Sequence, residues 1–211
     1  MVPILLLEVL LAIPIAMGVA YVRGSLTDRS IMVSTTVAVS ISLLVYVIVF
    51  QYLFAFRLGW FPVQGWSDSF WTNLTTYTPL PVIVVSLVAL APQTRLYRSF
   101  FLDELGHDYV RTARAKGLTE GKVLMRHVLR NALIPIMTNV SVLLPGVFVG
   151  SFLIEVFFSI PGLGREILLA VNRSDYPVIQ AFAIYLAAIT MVVNLITDLA
   201  YRLVDPRVVL K

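Results

Sequence analysis

Residues 108–135 read DYVRTARAKGLTEGKVLMRHVLRNALIP, a long basic segment in a chain that is 59% hydrophobic and only 13% charged. Good helix formers fill positions 108–116, with an acid first and bases last, as the helix dipole favours. Gly117 then stands where a left-handed residue commonly closes a helix. Thr119 is a suitable N-cap for a second helix. We call residues 106–130 the elbow, because they predict two helices joined by a sharp turn.

The sequence on both sides of the elbow is apolar enough to cross a membrane. A soluble domain normally has about a quarter of its residues charged, which this chain does not approach. Five apolar runs are each long enough to cross a hydrocarbon core about 30 Å thick. They cover residues 3–22, 31–55, 78–94, 131–157 and 178–201. The sequence therefore predicts an all-α polytopic membrane protein with about five transmembrane helices and a single membrane domain over residues 1–211.

The distribution of positive charge predicts the topology. Of the 16 Lys and Arg residues, 13 lie in residues 23–30, 95–130 and 202–211, and three lie in the connectors 56–77 and 158–177. Cytoplasmic connectors carry such an excess of positive charge. We therefore expect the elbow and the C-terminus in the cytoplasm and the other two connectors outside. The net charge of +4 follows from this asymmetry and requires no nucleic-acid partner.

The first apolar run carries its first basic residue, Arg23, at its end rather than ahead of it. A cleaved signal peptide has the opposite order, so we interpret this run as a membrane helix. The same charge places the N-terminal end of the helix outside. We therefore expect that an upstream helix either precedes Met1 or is supplied elsewhere.

The sequence lacks the motifs of several catalytic and nucleotide-binding sites. It contains no cysteine, no GxxxxGK[ST] phosphate loop, no HExxH and no GxSxG. His107 and His127 both fall in the elbow, without a spacing that suggests metal ligands. We therefore predict no catalytic residue, no metal site and no cofactor bound by this chain, and an intramembrane enzyme is the least favoured interpretation.

The elbow permits two interpretations. As an amphipathic connector it would lie on the membrane surface, held by anionic lipid headgroups. As two short helices joined at a glycine it would form a compact element that docks on a cytoplasmic partner. The spacing of its residues favours neither.

The elbow sequence resembles the cytoplasmic coupling loop of ABC importer permeases, and most closely their dipeptide/oligopeptide/nickel branch. The general form of that loop is Glu-Ala-Ala, three residues and Gly, of which this chain retains Ala113 and Gly117. The branch is similar to this chain along the whole stretch that ends in RHVLRNALIP. It is also similar at RLGWFPVQGW (57–66), FFSIPGLGREIL (157–168), DYPVIQ (175–180) and NLITDLAYRLVDPR (194–207). The family's usual N-terminal helix is missing from the resemblance.

The resemblance implies a type I ABC importer permease fold in the cell inner membrane, working by alternating access. The partners it implies are two cytoplasmic ATPase subunits that hold ATP and Mg²⁺, a second permease subunit, an external solute-binding protein and membrane lipid. We expect the second permease to be a diverged sister of this chain. The cargo stays open among dipeptides, oligopeptides, nickel chelates and other small solutes.

The resemblance also implies that the ATPase contacts the elbow at its turn. Small residues there permit close approach, and glycine permits the sharp turn. Two sets of coupling residues are predicted: Ala113, Ala115, Gly117 and Leu118 at the contact, and Arg111, Arg114 and Lys116 beside it or against lipid.

Polar residues within the predicted spans are candidates for the wall of a solute path. They are Ser34, Thr35, Ser40, Thr138, Asn139, Ser141 and Glu155. The alternative for the hydroxyl and amide side chains is that they join helices through hydrogen bonds. The alternatives for Glu155 are that it braces the external connector or that it snorkels to the membrane interface. Asp198 and Arg202 are spaced for an i,i+4 ion pair.

An ATP-independent secondary transporter or channel is the alternative function. It predicts inverted repeats, and charged pairs or broken helices at the membrane midplane. Pro79, Pro81, Pro135 and Pro145 are candidate breaks. The sequence shows neither a repeat nor a midplane ion pair.

Overall fold

The structure is a computed structural model that describes the backbone of residues 1–204. The description leaves out the side chains of Val149 and residues 197–204, and residues 205–211 entirely. The predicted pair of Asp198 with Arg202 therefore lies outside the described residues. All regular secondary structure in the described part is helical, which confirms the predicted all-α class.

The helices follow one another in chain order, with short connections. They are α1 Val2–Tyr21, α2 Leu26–Ser40, α3 Leu43–Phe50, α4 Phe70–Thr72, α5 Pro79–Leu105, α6 Asp108–Ala115, α7 Glu120–Val123, α8 Leu129–Val149, α9 Phe152–Phe157, α10 Leu163–Asn172 and α11 Tyr176–Val204. Three π-helical stretches, Gln51–Arg57, Asn73–Tyr77 and Leu124–Val128, continue α3, α4 and α7.

Four helices of the described part are long and apolar enough to cross a membrane: Val2–Tyr21, Pro79–Leu105, Glu120–Phe148 and Tyr176–Ile196. A fifth crossing exists only as a pair, Leu26–Ser40 with Leu43–Arg57, which is bent by 92°. The prediction of one continuous helix over residues 31–55 is therefore wrong. Ser42 supplies the reason, because its hydroxyl accepts a hydrogen bond from the Leu44 N–H at 3.3 Å and caps a new helix.

The predicted span over residues 131–157 is also wrong at its C-terminal end. α8 stops at Val149 because Gly150 has φ +80°, and Ser151 is the N-cap of α9. At its other end the helix begins in the elbow at Glu120, and α7, the π-helical stretch and α8 form one rod. The 29 residues from Glu120 to Phe148 extend about 44 Å at a rise of about 1.5 Å each, more than the hydrocarbon core needs.

Small residues bring α1 and α5 together. Ala12, Ala16 and Ala20 follow one face of α1 and are at most 1% exposed. They share a core with Tyr97 and Phe101 of α5, both fully buried. Alanines at four-residue intervals let helix backbones approach closely within a membrane.

The two connectors predicted to lie outside meet near the start of α5. The Gln51 amide donates to the carbonyl oxygens of Val63 at 3.1 Å and of Phe157 at 2.9 Å, which joins connector 56–77 to α9 and connector 158–177. The elbow follows the other end of α5. The elbow and these connectors therefore lie at opposite ends of the bundle, as the charge pattern requires, while the compartment that each end faces stays a prediction.

Candidate functional site

Two backbone hydrogen bonds close the turn of the elbow. The Gly117 N–H donates to the Arg114 carbonyl at 2.9 Å, and the Leu118 N–H donates to the Ala113 carbonyl at 3.3 Å. This Schellman arrangement requires a left-handed residue after the helix, and Gly117 has φ +77°. Nothing lies within 4 Å of a Cβ added at Gly117, so the backbone conformation alone favours glycine there. The predicted turn is confirmed.

The inner face of the elbow belongs to the chain's own core. Val110 and Ala113 of α6 are buried together with Val123, Val128 and Phe101. Ala113 is only 4% exposed, which corrects its predicted position on the contact surface. Its small side chain instead allows α6 to pack closely on the second helix of the elbow. The elbow is thus attached to the bundle by apolar packing.

The outer face carries the other residues predicted to couple. All of them are exposed: Arg111, Arg114, Ala115, Lys116, Gly117 and Leu118. Leu118, at the turn, is 37% exposed. We call residues 115–118 the tip. The tip is a small convex surface with two apolar side chains, Ala115 and Leu118, and with cations beside them.

Arg114 has a partner within the chain. Its Nε and Nη2 donate to Oε1 and Oε2 of Glu120 at 2.9 and 3.2 Å, which joins α6 to α7 across the turn. The two side chains are 41% and 42% exposed. The pair stabilises the turn from within the chain, and the place of Arg114 beside a partner or against lipid stays a prediction. The missed signal was a pair of opposite charges on either side of a predicted turn.

The start of α6 is held by a second side-chain contact. The Tyr109 hydroxyl donates to Oε2 of Glu104, the penultimate residue of α5. Burial and this hydrogen bond to a carboxylate raise the pKa of Tyr109 to about 12. The phenol therefore remains a hydrogen-bond donor throughout the physiological pH range. Both ends of α6 are thus fixed to neighbouring helices by side-chain hydrogen bonds.

An ion pair that was not predicted from the sequence lies at the elbow end of the bundle. Arg98 of α5 donates from Nε and Nη2 to the two carboxylate oxygens of Asp28, each at 2.8 Å. Asp28 also accepts from the Gly24 N–H at 2.8 Å, and its own N–H donates to the Ser25 hydroxyl at 3.2 Å. The local signal was the Ser-x-x-Asp capping pattern. Nothing local identified Arg98 as the partner.

The structure brings together two of the three path candidates on α2. Ser34 and Thr35 border a cavity of about 320 Å³ that is lined by α1, α2, α3 and α5. The Thr35 hydroxyl donates to the Met32 carbonyl of its own helix at 2.9 Å. Ser40 lies at the end of α2 and donates to the Thr36 carbonyl at 2.9 Å. Whether this cavity is part of a solute path stays a prediction.

The candidates on α8 have different surroundings. Thr138 is exposed, and its hydroxyl donates to the Ile134 carbonyl at 3.1 Å. Asn139 accepts a hydrogen bond from the Tyr97 hydroxyl at 3.2 Å, which joins α8 to α5 as the alternative role proposed. Ser141 is half-buried. The α8 residues are not part of the cavity that Ser34 and Thr35 border, and their place in a path stays a prediction.

Glu155 lies at the base of connector 158–177, where it is 8% exposed. Its Oε1 accepts from the Ser151 N–H at 3.3 Å, and its Oε2 accepts from the Arg165 N–H at 2.9 Å. The carboxylate therefore braces the connector, which is one of the three roles considered for it from the sequence.

The apolar helices, with an elbow packed on one end of their bundle, define a polytopic α-helical membrane protein. A family model described as binding-protein-dependent transport system inner membrane component matches residues 12–210. The chain belongs to this family, and the resemblance drawn from its sequence is confirmed.

Peptide permeases are among the proteins similar to this chain. It is 42% identical over 154 residues to the dipeptide transport system permease protein DppB of Lactococcus lactis subsp. cremoris, covering 73% of this chain and 49% of that protein. It is 42% identical over 141 residues to DppB of Escherichia coli strain K12, covering 67% and 42%. It is 41% identical over 156 residues to the oligopeptide transport system permease protein AppB of Bacillus subtilis, covering 72% and 49%. Each alignment spans less than half of the relative's length.

Proposed function

We propose that this chain is the membrane-spanning permease subunit of an ATP-driven ABC importer, and that its elbow receives an ATPase subunit. The supporting observation is the rod that begins beside the tip at Glu120 and is helical as far as Val149. A displacement of the tip is passed directly to a membrane span, because no loop separates them. A connector that only rested on lipid would not require this continuity.

The orientation of α6 favours a protein partner over a lipid surface. A helix that binds a membrane surface presents a broad apolar face to the acyl chains. α6 directs its apolar residues Val110 and Ala113 into the bundle, where both are buried. The exposed residues of α6 include Arg111 and Arg114, and Ala115 is the one apolar side chain among them. Such a surface fits a matching groove in another protein better than a bilayer.

The energy and the selection of solute come from partners in this proposal. Two cytoplasmic ATPase subunits hold ATP and Mg²⁺, and this chain binds neither. A second permease subunit completes the path, and an external solute-binding protein delivers the solute at the end where connectors 56–77 and 158–177 meet. The elbow and the C-terminus face the cytoplasm, because the Lys and Arg residues are concentrated there. Alternating access then arises from a change in the tilt of the rods.

Peptides are the proposed cargo. The argument is the identity of 41–42% to permeases named for dipeptides and oligopeptides. The proposal concerns the class of solute, and dipeptides and longer peptides are equally consistent with it.

Affinity purification of the tagged chain from its native membrane in mild detergent tests the proposal. The wild-type chain is expected to bring down an ATPase subunit and a second permease. Gly117→Asn is expected to bring down the permease without the ATPase, because the added side chain fills the space at the tip. Asparagine is among the non-glycine residues that best tolerate positive φ, so the turn is retained.

Gly59→Asn is the matched control. Gly59 has φ +65° and, like Gly117, nothing within 4 Å of an added Cβ, but it lies on connector 56–77, at the opposite end of the bundle from the tip. This variant should retain both partners. Recovery of neither partner by the wild-type chain would contradict the importer and favour an ATP-independent transporter or channel. Retention of the ATPase by Gly117→Asn would show that the tip is not the docking surface.

A further inference from the structure

One carboxylate, that of Glu155, serves the N-termini of two helices. Its Oε1 accepts from the N–H of Ser151, the N-cap residue of α9, at 3.3 Å. Its Oε2 accepts from the N–H of Arg165, the third residue of α10, at 2.9 Å. An N-cap side chain normally accepts from the amide at this third position. The N-cap of α10 is Gly162, which has no side chain, so Glu155 supplies the cap from a different helix.

Glycines leave the space that this carboxylate occupies. A Cβ added at Gly162 would overlap the Glu155 carboxylate, and one added at Gly150 would overlap its Oε1. Gly162 has φ −166°, an extended conformation open to any residue, so the carboxylate alone requires glycine there. At Gly164 an added Cβ would lie 2.7 Å from the backbone N and Cα of Phe152, which is a clash with the backbone of α9 itself.

Burial makes the two hydrogen bonds of Glu155 important. A buried carboxylate is costly unless it is hydrogen-bonded, and the N-terminus of a helix offers both free amides and the favourable end of the helix dipole. Moving α10 away from α9 would leave the carboxylate with one partner. The contact therefore resists separation of the two helices.

We propose that Glu155 is a positioning residue that fixes α10 to the outer end of the rod, so that both move as one body. α9 follows the rod after the single break at Gly150 and Ser151, and α10 packs against both α9 and the start of α11. A change in the tilt of the rod is then passed through Glu155 to the external surface. The contact between α9 and α10 does not depend on the proposed function, whereas the consequence of the contact for transport rests on that function.

A thermodynamic cycle tests the contact itself. Gly162→Ala is expected to lower the unfolding temperature by about 2–4 °C in the wild-type background. The same substitution should have little effect in a Glu155→Ala background, because the overlapping carboxylate is gone. Gly164→Ala is the control: an added Cβ would also lie 3.0 Å from Oε2 of Glu155, but its closer clash with the backbone of Phe152 persists in both backgrounds. Equal losses from Gly162→Ala in the two backgrounds would overturn the proposal.

Spin labels test whether the two helices move together. The chain has no cysteine, so introduced pairs label selectively within it. Labels at Phe148 and Glu166, both exposed, report the distance between the outer end of the rod and α10 in the purified complex. We expect one narrow distance distribution, unchanged by ATP, and a broad one in Glu155→Ala. A distribution in Glu155→Ala as narrow as that of the wild type would overturn the proposal.

Transport by the same complexes tests the consequence. In Glu155→Gln an amide –NH₂ faces one of the two backbone N–H donors, so one hydrogen bond is lost with little change in volume. Uptake of a dipeptide is expected to fall about tenfold, because a single substitution can change the energetic coupling between distant sites by that much. ATP hydrolysis is expected to persist. Unchanged uptake would overturn the role in transport. Absence of ATPase partners would contradict the proposed function and leave the thermodynamic cycle, which requires no partner, as the test of the contact.

Discussion

Arg98 and Asp28 form a bidentate ion pair in which both nitrogen–oxygen distances are 2.8 Å. Their side chains are 18% and 6% exposed, so the pair is largely shielded from water. Asp28 is the one buried residue of Leu26–Ser40, a helix that the structure describes in full. An ionic contact therefore provides the buried anchor that attaches α2 to α5, while the other side chains of α2 face outward or border the cavity.

Arg98→Ala is expected to destabilise the chain by about 3 kcal/mol, because loss of one partner leaves a buried charge uncompensated. Arg98→Lys keeps the charge but not the bidentate geometry, so its loss of stability should be smaller than that of Arg98→Ala. Thermal unfolding in detergent, followed by tryptophan fluorescence, measures both changes. The double variant Asp28→Ala/Arg98→Ala should be no less stable than Arg98→Ala alone. Additive losses in the double variant would show that the two residues are not coupled.

Substitution of two elbow glycines by alanine should have opposite effects. Gly117→Ala is expected to destabilise the elbow by about 1–2 kcal/mol, because a residue with a Cβ is strained in the left-handed conformation. Gly121→Ala is expected to stabilise it by about 1 kcal/mol, because Gly121 lies within a helix. Nothing lies within 4 Å of an added Cβ at either position, so steric contact contributes to neither value. Hydrogen exchange of the elbow amides measures both changes in stability. Two changes of the same sign would contradict this explanation.

The turn of the elbow could be predicted because its determinants are local. Bases late in α6, Gly117 as the left-handed residue and Thr119 as the next N-cap all fall within a few residues. The apolar runs were equally visible, since length and composition suffice to recognise a span. The helix bend at Ser42 was missed because hydropathy is averaged over a window, and one capping hydroxyl does not change that average.

Long-range partners could not be predicted from the sequence. Arg98 and Asp28 are 70 residues apart, and no periodic pattern connects them. Small residues such as Ala113 suit both a docking surface and a close helix contact, and composition does not distinguish the two. The two acceptor contacts of Glu155 depend likewise on how α9 and α10 pack. These features arise from the tertiary arrangement of helices whose existence the sequence does predict.

Tyr109→Phe is expected to destabilise the chain by about 1–2 kcal/mol, because Glu104 loses a donor in partly buried surroundings. The pKa of Tyr109 is raised from 10.0 to about 12, so its contribution is complete below pH 10 and is lost as the pH rises toward 12. The difference between variant and wild type should therefore stay constant from about pH 6 to about pH 9. Unfolding curves across that range measure it.

Tyr176→Phe is the control for Tyr109→Phe. Tyr176 is 69% exposed at the start of α11, so loss of its hydroxyl should change stability by less than about 0.5 kcal/mol. A loss for Tyr109→Phe that varied between pH 6 and pH 9 would show that a group other than the phenol controls the contact with Glu104.

Cysteine labelling distinguishes a water-filled path from a lipid-facing surface on α8. Thr138→Cys is expected to react with a membrane-impermeant maleimide, because the reactive thiolate forms only where water has access. Ile136→Cys should not react, since Ile136 is fully buried. Met137→Cys is the control for exposure without a path: Met137 is 49% exposed, but it lies about 100° around the helix from Thr138. A dipeptide should slow the labelling of Thr138→Cys if the residue borders the path. Equal reaction at positions 137 and 138, or none at 138, would remove Thr138 from the set of path residues.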